Sequence, residues 1–236
     1  MSDYIDTRCS PSLHPDTVKS IDGYDDETAL VLGPTITAFD TAYQAVIAVH
    51  DARALADKNP SWPEERKILE SDNLARRKLD QVTRAFDAEL SRLGKAVAHL
   101  EGELTAPLTM KAAASIAQEI RAHVKAMNTE QRHDFVRAAL DSGDEVTFSS
   151  VCAAPPYLSG LTSDLQQSFT RLWHEKQSPD MAKRLCAMQG AKTMIEQRAG
   201  LVFPELTKAV GASPQKAKRL REANTAAERA FAVRGA

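Results

Sequence analysis

Between Pro63 and Pro107 the chain contains no proline, and through that span apolar residues recur every three or four positions. No other feature restricts the fold as much. Strands are far shorter, so a periodic run of this length is a helix. It opens at "SWPEE", where Ser61 and Glu64 have the spacing of a capping box and Pro63 falls where a first helical turn tolerates it. The pattern predicts about 42 helical residues ending at Leu104, on the order of 60 Å at 1.5 Å per residue.

From Leu79 onward the apolar residues keep a seven-residue repeat. Leu79, Phe86, Leu93 and Leu100 take one seam position; Thr83, Leu90, Val97 and Leu104 take the other, with Thr83 its weak member. A seam of this kind needs a second helix at a shallow angle. The nearest candidate is a helix opened by Pro34, carrying Ile36, Phe39, Tyr43, Val46 and His50 at spacings of three and four, and stopped near Asn59 by Pro60. Folded back through "NPSWP", it makes a helical hairpin over residues 34–108. Its ~37 Å covers one end of the longer helix. The rest of the stripe is expected against later helices or a second copy.

The remaining sequence reads as helices too. Residues 109–161 hold short helices and a loop: "TMKAAASIAQEIRAHVKAM", a restart at "NTEQ" closing at Gly143, the buried "VTFSSVCAA", and a loop at "PPYLSG". "VTFSSVCAA" has strand-like residues, but no second strand exists to pair with it. Residues 162–236 form a smaller helical part, in which "SPDMAKRL" and "SPQKAKRL" start two helices thirty-five residues apart and Pro204 breaks or kinks the chain between them. Aromatic residues are only 6% of the chain and alanine is abundant, which suits close helix packing. The expectation is an all-α fold: a long antiparallel hairpin or bundle, an extended N-terminal arm and a smaller C-terminal part.

Residues 1–33 differ from the rest, with Pro11, Pro15, Gly23 and Gly33, many carboxylates and no sustained period. Such a segment has little apolar surface to order itself. It is expected to be an extended acidic arm that docks on a neighbouring chain through Tyr4, Ile5, Leu13, Leu30 and Leu32, with Val31 beside them. Charge supports a complementary surface. Residues 1–60 carry ten acids and four bases, whereas residues 183–236 carry four acids and eleven bases. Lys216, Lys218, Arg219 and Arg221 cluster within six residues, with Lys208 before them and Arg229 and Arg234 after. The cluster suits an acidic protein surface or, alternatively, the phosphates of a nucleic acid.

Nothing in the chain has the form of a catalytic or metal-binding motif. GxGxxG, GxxxxGK[ST], GxSxG and HExxH are absent. Glu130 and His133 form a single ExxH where di-iron bundles use two. Glu119 and His123 are one i,i+4 pair, and His50 and Asp51 are adjacent on a helix and diverge by about 100°. Cys9, Cys152 and Cys186 are too scattered for a disulfide framework. The acidic start lacks the apolar stretch of a signal peptide, and no run reaches membrane-span length.

These observations predict a non-enzymatic structural or assembly subunit of a larger bacterial or virion particle. It would contact copies of itself and other subunits, bind no cofactor or metal, and have no membrane partner. Its place would be the bacterial cytoplasm or a virion. The alternative is a nucleic-acid-binding protein that uses the basic C-terminal helix.

Overall fold

The computed structural model describes residues 6–233, and among them every regular element is a helix. Ten α-helices follow in order: α1 Asp26–Asp57, α2 Glu64–Leu104, α3 Ala114–Ala126, α4 Thr129–Ser142, α5 Glu145–Cys152, α6 Pro156–Ser159, α7 Ser163–Gln177, α8 Pro179–Arg198, α9 Val202–Val210 and α10 Pro214–Val233. Three 3-10 turns accompany them, at Pro11–Leu13, Pro15–Ser20 and Ala199–Leu201. The all-α class therefore holds. The chain forms two compact units, one taking in the sequence up to Lys95 and again from Cys186, the other Ala96–Leu185. The divisions fall inside α2, between Lys95 and Ala96, and inside α8, between Leu185 and Cys186, rather than at residues 108 and 161.

In the discontinuous unit, α1 and α2 run antiparallel. Their register is fixed by the Lys67 ammonium on the Asp57 carbonyl at 3.2 Å, the Phe39–Phe86 ring contact at 5.3 Å and Arg92 on the Val31 carbonyl at 2.9 Å. α1 begins at Asp26, eight residues before the expected start at Pro34. The Asp25 carboxylate accepts from the Glu27 and Thr28 amides, and the Thr28 hydroxyl accepts from the Asp25 amide, so a complete capping box starts the helix there. Threonine in place of Glu or Gln at its third position hid this start. The extra turns let α1 accompany α2 as far as Arg92, and the stripe residues Phe86 and Leu93 of that span are buried within the chain.

Pro34 thus lies inside α1, where its ring lacks a donor and crowds the preceding turn. The disturbance coincides with a polar cross-link to α2. Arg92 serves the Val31 carbonyl and also the Glu89 carboxylate, at 2.7 and 2.8 Å, while the Thr35 hydroxyl donates to Glu89 Oε1, which Arg92 also reaches. Glu89 and Thr35 are buried. Leaving either without its partner would strand a polar group in the core.

The expected arm is not extended and does not wait for a neighbour. Its two 3-10 turns pack on α1. Leu13 and Val18 have no exposed surface and Ile21 is buried. Three anchors of about 1.5–3 kcal/mol each suffice because other elements satisfy the arm's backbone. The Asp6 amide donates to the Tyr43 hydroxyl at 2.7 Å and the Ser10 amide to Glu205 at 3.1 Å. The Ser12 carbonyl accepts from Arg198 at 3.1 Å and the Arg8 carbonyl from Lys208 at 3.2 Å. Of the other expected anchors, Leu30 is exposed on α1, Leu32 is buried within α1, Val31 is half-buried there, and Tyr4 and Ile5 lie outside the described residues.

At the hairpin turn the expected Ser61–Glu64 capping box is replaced. The Ser61 amide and hydroxyl both donate to Asn59, and Glu64 reaches across to Arg53 at 2.5 Å. The segment around Pro204 breaks earlier than the proline, at Ala199–Leu201, and Pro204 sits in the first turn of α9, where its missing donor costs nothing.

The other unit packs α3, α4, α5 and α7 around one core. Phe148 of α5 stacks on Trp173 of α7 with centroids 4.4 Å apart. "VTFSSVCAA" is helical as expected, and "PPYLSG" forms the short α6 rather than a plain loop. Gly160 ends α6 with φ +76°, and a Cβ there would meet the Arg132 guanidinium at 2.9 Å. Arg132 uses that space to hold the Gly160 and Met127 carbonyls at the ends of α6 and α3.

Candidate functional site

The basic C-terminal helix carries the features that the fold does not consume. Ser213 caps α10, accepting from the Lys216 amide at 3.3 Å, and Pro214 occupies its first position. The first two turns pack on their own unit: Ala217 is buried and Leu220 half-buried. From Glu222 to Ala232 every residue is exposed, and Phe231 is 77% exposed. Asn224 donates to Glu228 along the helix at 2.9 Å.

Where α10 meets α2 and α9 there is a groove of about 320 Å³. Ala75, Leu206, Val210 and Ala217 are its buried lining; Phe203, Arg76, Asp80 and Lys218 are exposed around it. Arg221 closes one side through an ion pair with Asp72.

The basic residues singled out in the sequence divide into two groups. Lys208 holds the arm and Arg221 holds α2, so both are engaged internally. Lys216, Lys218 and Arg219 are exposed, with Lys218 3.8 Å from Glu222. Arg234 lies outside the described residues.

The residues of the expected seam also separate. Phe86, Leu93 and Leu104 are buried, while Leu79, Leu90, Val97 and Leu100 are half-buried, Leu79 beside the groove. Thr83 is exposed. The second buried line is Ile68, Ala75, Val82 and Glu89, one position ahead of the line that sequence suggested. A buried glutamate interrupts that line, and polarity moved the reading to Leu90. Arg92, three residues on, was the available signal for a paired carboxylate.

Under the arm lies a second polar cluster. Arg8 bridges Asp6 and Asp51, at 2.5 and 2.8 Å, and lowers the Asp6 carboxyl to about 2. Arg8 and Lys208 also face His50, whose pKa is lowered first by burial and then by those two cations. The His50 Nε2 atom is buried without a hydrogen-bond partner. His50 and Asp51 diverge as expected, Asp51 turning outward to Arg8. Cys9 is buried beside this cluster, and burial pushes its thiol up to about 12.

In the other unit, Cys152 borders a cavity of about 600 Å³ with Gln166 and Thr170. Burial pushes its thiol up to about 12, and Gln166 bonds the Cys152 and Ala154 carbonyls rather than the sulfur. A neutral, desolvated thiol is a poor nucleophile. Glu130 and His133 are both exposed, His133 lying 3.6 Å from Asp134. His123 of the Glu119–His123 pair packs edge-on against Phe135. Among the described residues no three His, Cys, Asp or Glu side chains come together to hold a metal ion, and no helix is long and apolar enough to cross a membrane.

Compared with known proteins, the chain matches no family model, and neither a curated protein nor a solved structure is significantly similar to it.

Proposed function

We propose that this chain is a non-enzymatic helical subunit that joins other protein chains in a larger assembly, such as a bacterial or phage particle. One observation carries the reading: over its last three turns, from Glu222 to Ala232, every side chain of α10 is exposed, the phenyl ring of Phe231 among them. A helix of that length is marginal in water without packing. Its apolar surface gains stability only when covered. The arm, by contrast, is already seated and is not offered as the connector. Two of the basic side chains considered for nucleic acid are engaged internally, which favours a protein surface as the partner.

Site-specific photocrosslinking tests this. A photoreactive phenylalanine analogue at position 231, introduced into cells that make the full assembly, should crosslink to a polypeptide. The same probe at exposed Leu30 should not. Crosslinks from position 231 to nucleic acid, or to nothing, would sink the reading.

A further inference from the structure

We propose that the projecting part of α10 pairs with the same segment of a second copy as a short antiparallel coiled coil. This inference rests on the assembly reading above and names the partner. Along α10 the positions 217, 220, 224, 227 and 231 are spaced three and four apart, the a and d positions of a heptad. They hold Ala217, Leu220, Asn224, Ala227 and Phe231. The stripe is buried within the chain at Ala217, half-covered at Leu220 and uncovered from Asn224 onward. The uncovered surface is thus the continuation of a packed seam.

The charges beside that stripe specify the orientation. The flanking e positions are Arg221 and Glu228, one turn either side of Asn224. In an antiparallel pair these positions face each other across the seam, so Arg221 of each copy meets Glu228 of the other, twice. In a parallel, in-register pair each e position faces a g position instead, so Arg221 would meet Lys216 of the other copy and Glu228 would meet Ala223, one contact repulsive and the other neutral. Arg221 already holds Asp72, but a guanidinium has five N–H donors and accommodates a second carboxylate. Antiparallel a–d layers place Leu220 against Phe231 and Asn224 against Ala227. Asn224 is then a polar residue at a core position, which fixes register at a cost in affinity. Three turns bury less than the ~1,200 Å² of a standard interface, so the contact is weak and concentration-dependent. Weak repeated contacts suit a subunit held at several points.

Sedimentation equilibrium on the purified full chain tests the pairing. The expected result is a monomer–dimer equilibrium that Phe231→Glu and Glu228→Lys each shift by tenfold or more toward monomer, with circular dichroism and melting temperature of the body unchanged. Register is read on a Cys186→Ser background, which removes the exposed thiol. Asn224→Cys with Ala227→Cys should give a covalent dimer on mild oxidation, and Asn224→Cys alone should give far less. A strict monomer at all concentrations overturns the proposal, and so does a dimer indifferent to Phe231→Glu. Efficient linkage through Asn224→Cys alone would mean a parallel pair and would also overturn it. If the chain is monomeric yet position 231 still crosslinks to a different polypeptide in cells, the assembly reading stands and only the self-pairing falls.

Discussion

The two ends of the chain belong to the same compact unit and behave in opposite ways. The N-terminal end has no periodic pattern and is acidic, yet Leu13 and Val18 are fully buried and four neighbours bond its backbone. The C-terminal end is a regular, capped helix, yet from Glu222 to Ala232 all its side chains are exposed. Regularity and burial are therefore separate properties. A helix satisfies its own backbone and can leave its unit without stranding a polar group. An irregular segment has no such independence, and it is ordered only where other side chains meet its amides and carbonyls.

That contrast is most exposed to test by removing each end. Deleting residues 1–24 uncovers the faces of α1 under Leu13, Val18 and Ile21. The expected loss is about 4.5–9 kcal/mol from the three anchors, with reduced helix content. Denaturant unfolding followed by circular dichroism measures it. A truncated chain as stable as the parent would mean the arm is not part of the core.

A smaller perturbation keeps the arm and disturbs its seat. Gly190 of α8 lies so close to the arm that a Cβ would sit 2.6 Å from the Ile21 Cγ2 atom. Gly190→Ala should cost about 1–3 kcal/mol by overpacking, although alanine favours a helix. Gly200→Ala, with nothing within 4 Å of the added atom, is the matched control. Equal melting temperatures for the two variants would place the arm elsewhere.

The pH dependence sharpens the same point. Burial, then Arg8 and Lys208, lower the pKa of His50, so the folded state holds it neutral. The unfolded chain binds that proton first as pH falls, so this contribution is fully present above about pH 6.5 and is lost below it. Asp6, lowered to about 2, acts in a separate window: its contribution is present above the ordinary aspartate value of 3.8 and is lost toward pH 2. Thermal melts between pH 8 and 5 should show stability falling on acidification, and His50→Gln should flatten the curve. Parallel curves for variant and parent would contradict the placement of His50 under the arm.

The smallest effect is expected at the other end. Among the residues removed by truncation after Glu222, Ala223 to Ala232 are all exposed, so the stability of dilute protein should change by no more than about 0.5 kcal/mol. A large loss would mean that the last turns of α10 pack on the body.

Much of the architecture was legible because period and caps are local. The long helix from Pro63 to Leu104, the close of α4 at Gly143 and the helical reading of "VTFSSVCAA" all follow from neighbours in sequence. What escaped depends on pairings across the chain. The start of α1 moved because a threonine completes the Asp25 cap. One line of the seam moved because Glu89 is buried against Thr35 and Arg92, and no pattern of apolar residues announces a buried carboxylate. The arm was misjudged because its partners, Glu205, Arg198 and Lys208, lie nearly two hundred residues away. The exposed half of α10 was legible as a helix but not as an uncovered one.

Hydrogen exchange across the whole chain, at a low and a high protein concentration, tests the contrast most directly. The account predicts that amides of the arm, from Ser10 to Ile21, are protected equally at both concentrations. It predicts that amides from Ala223 to Val233 exchange fast in dilute solution and slow down when concentrated. Arm protection that emerges only at high concentration would mean the arm docks on a neighbour, and exchange in α10 that ignores concentration would mean its exposed face has no second copy to meet.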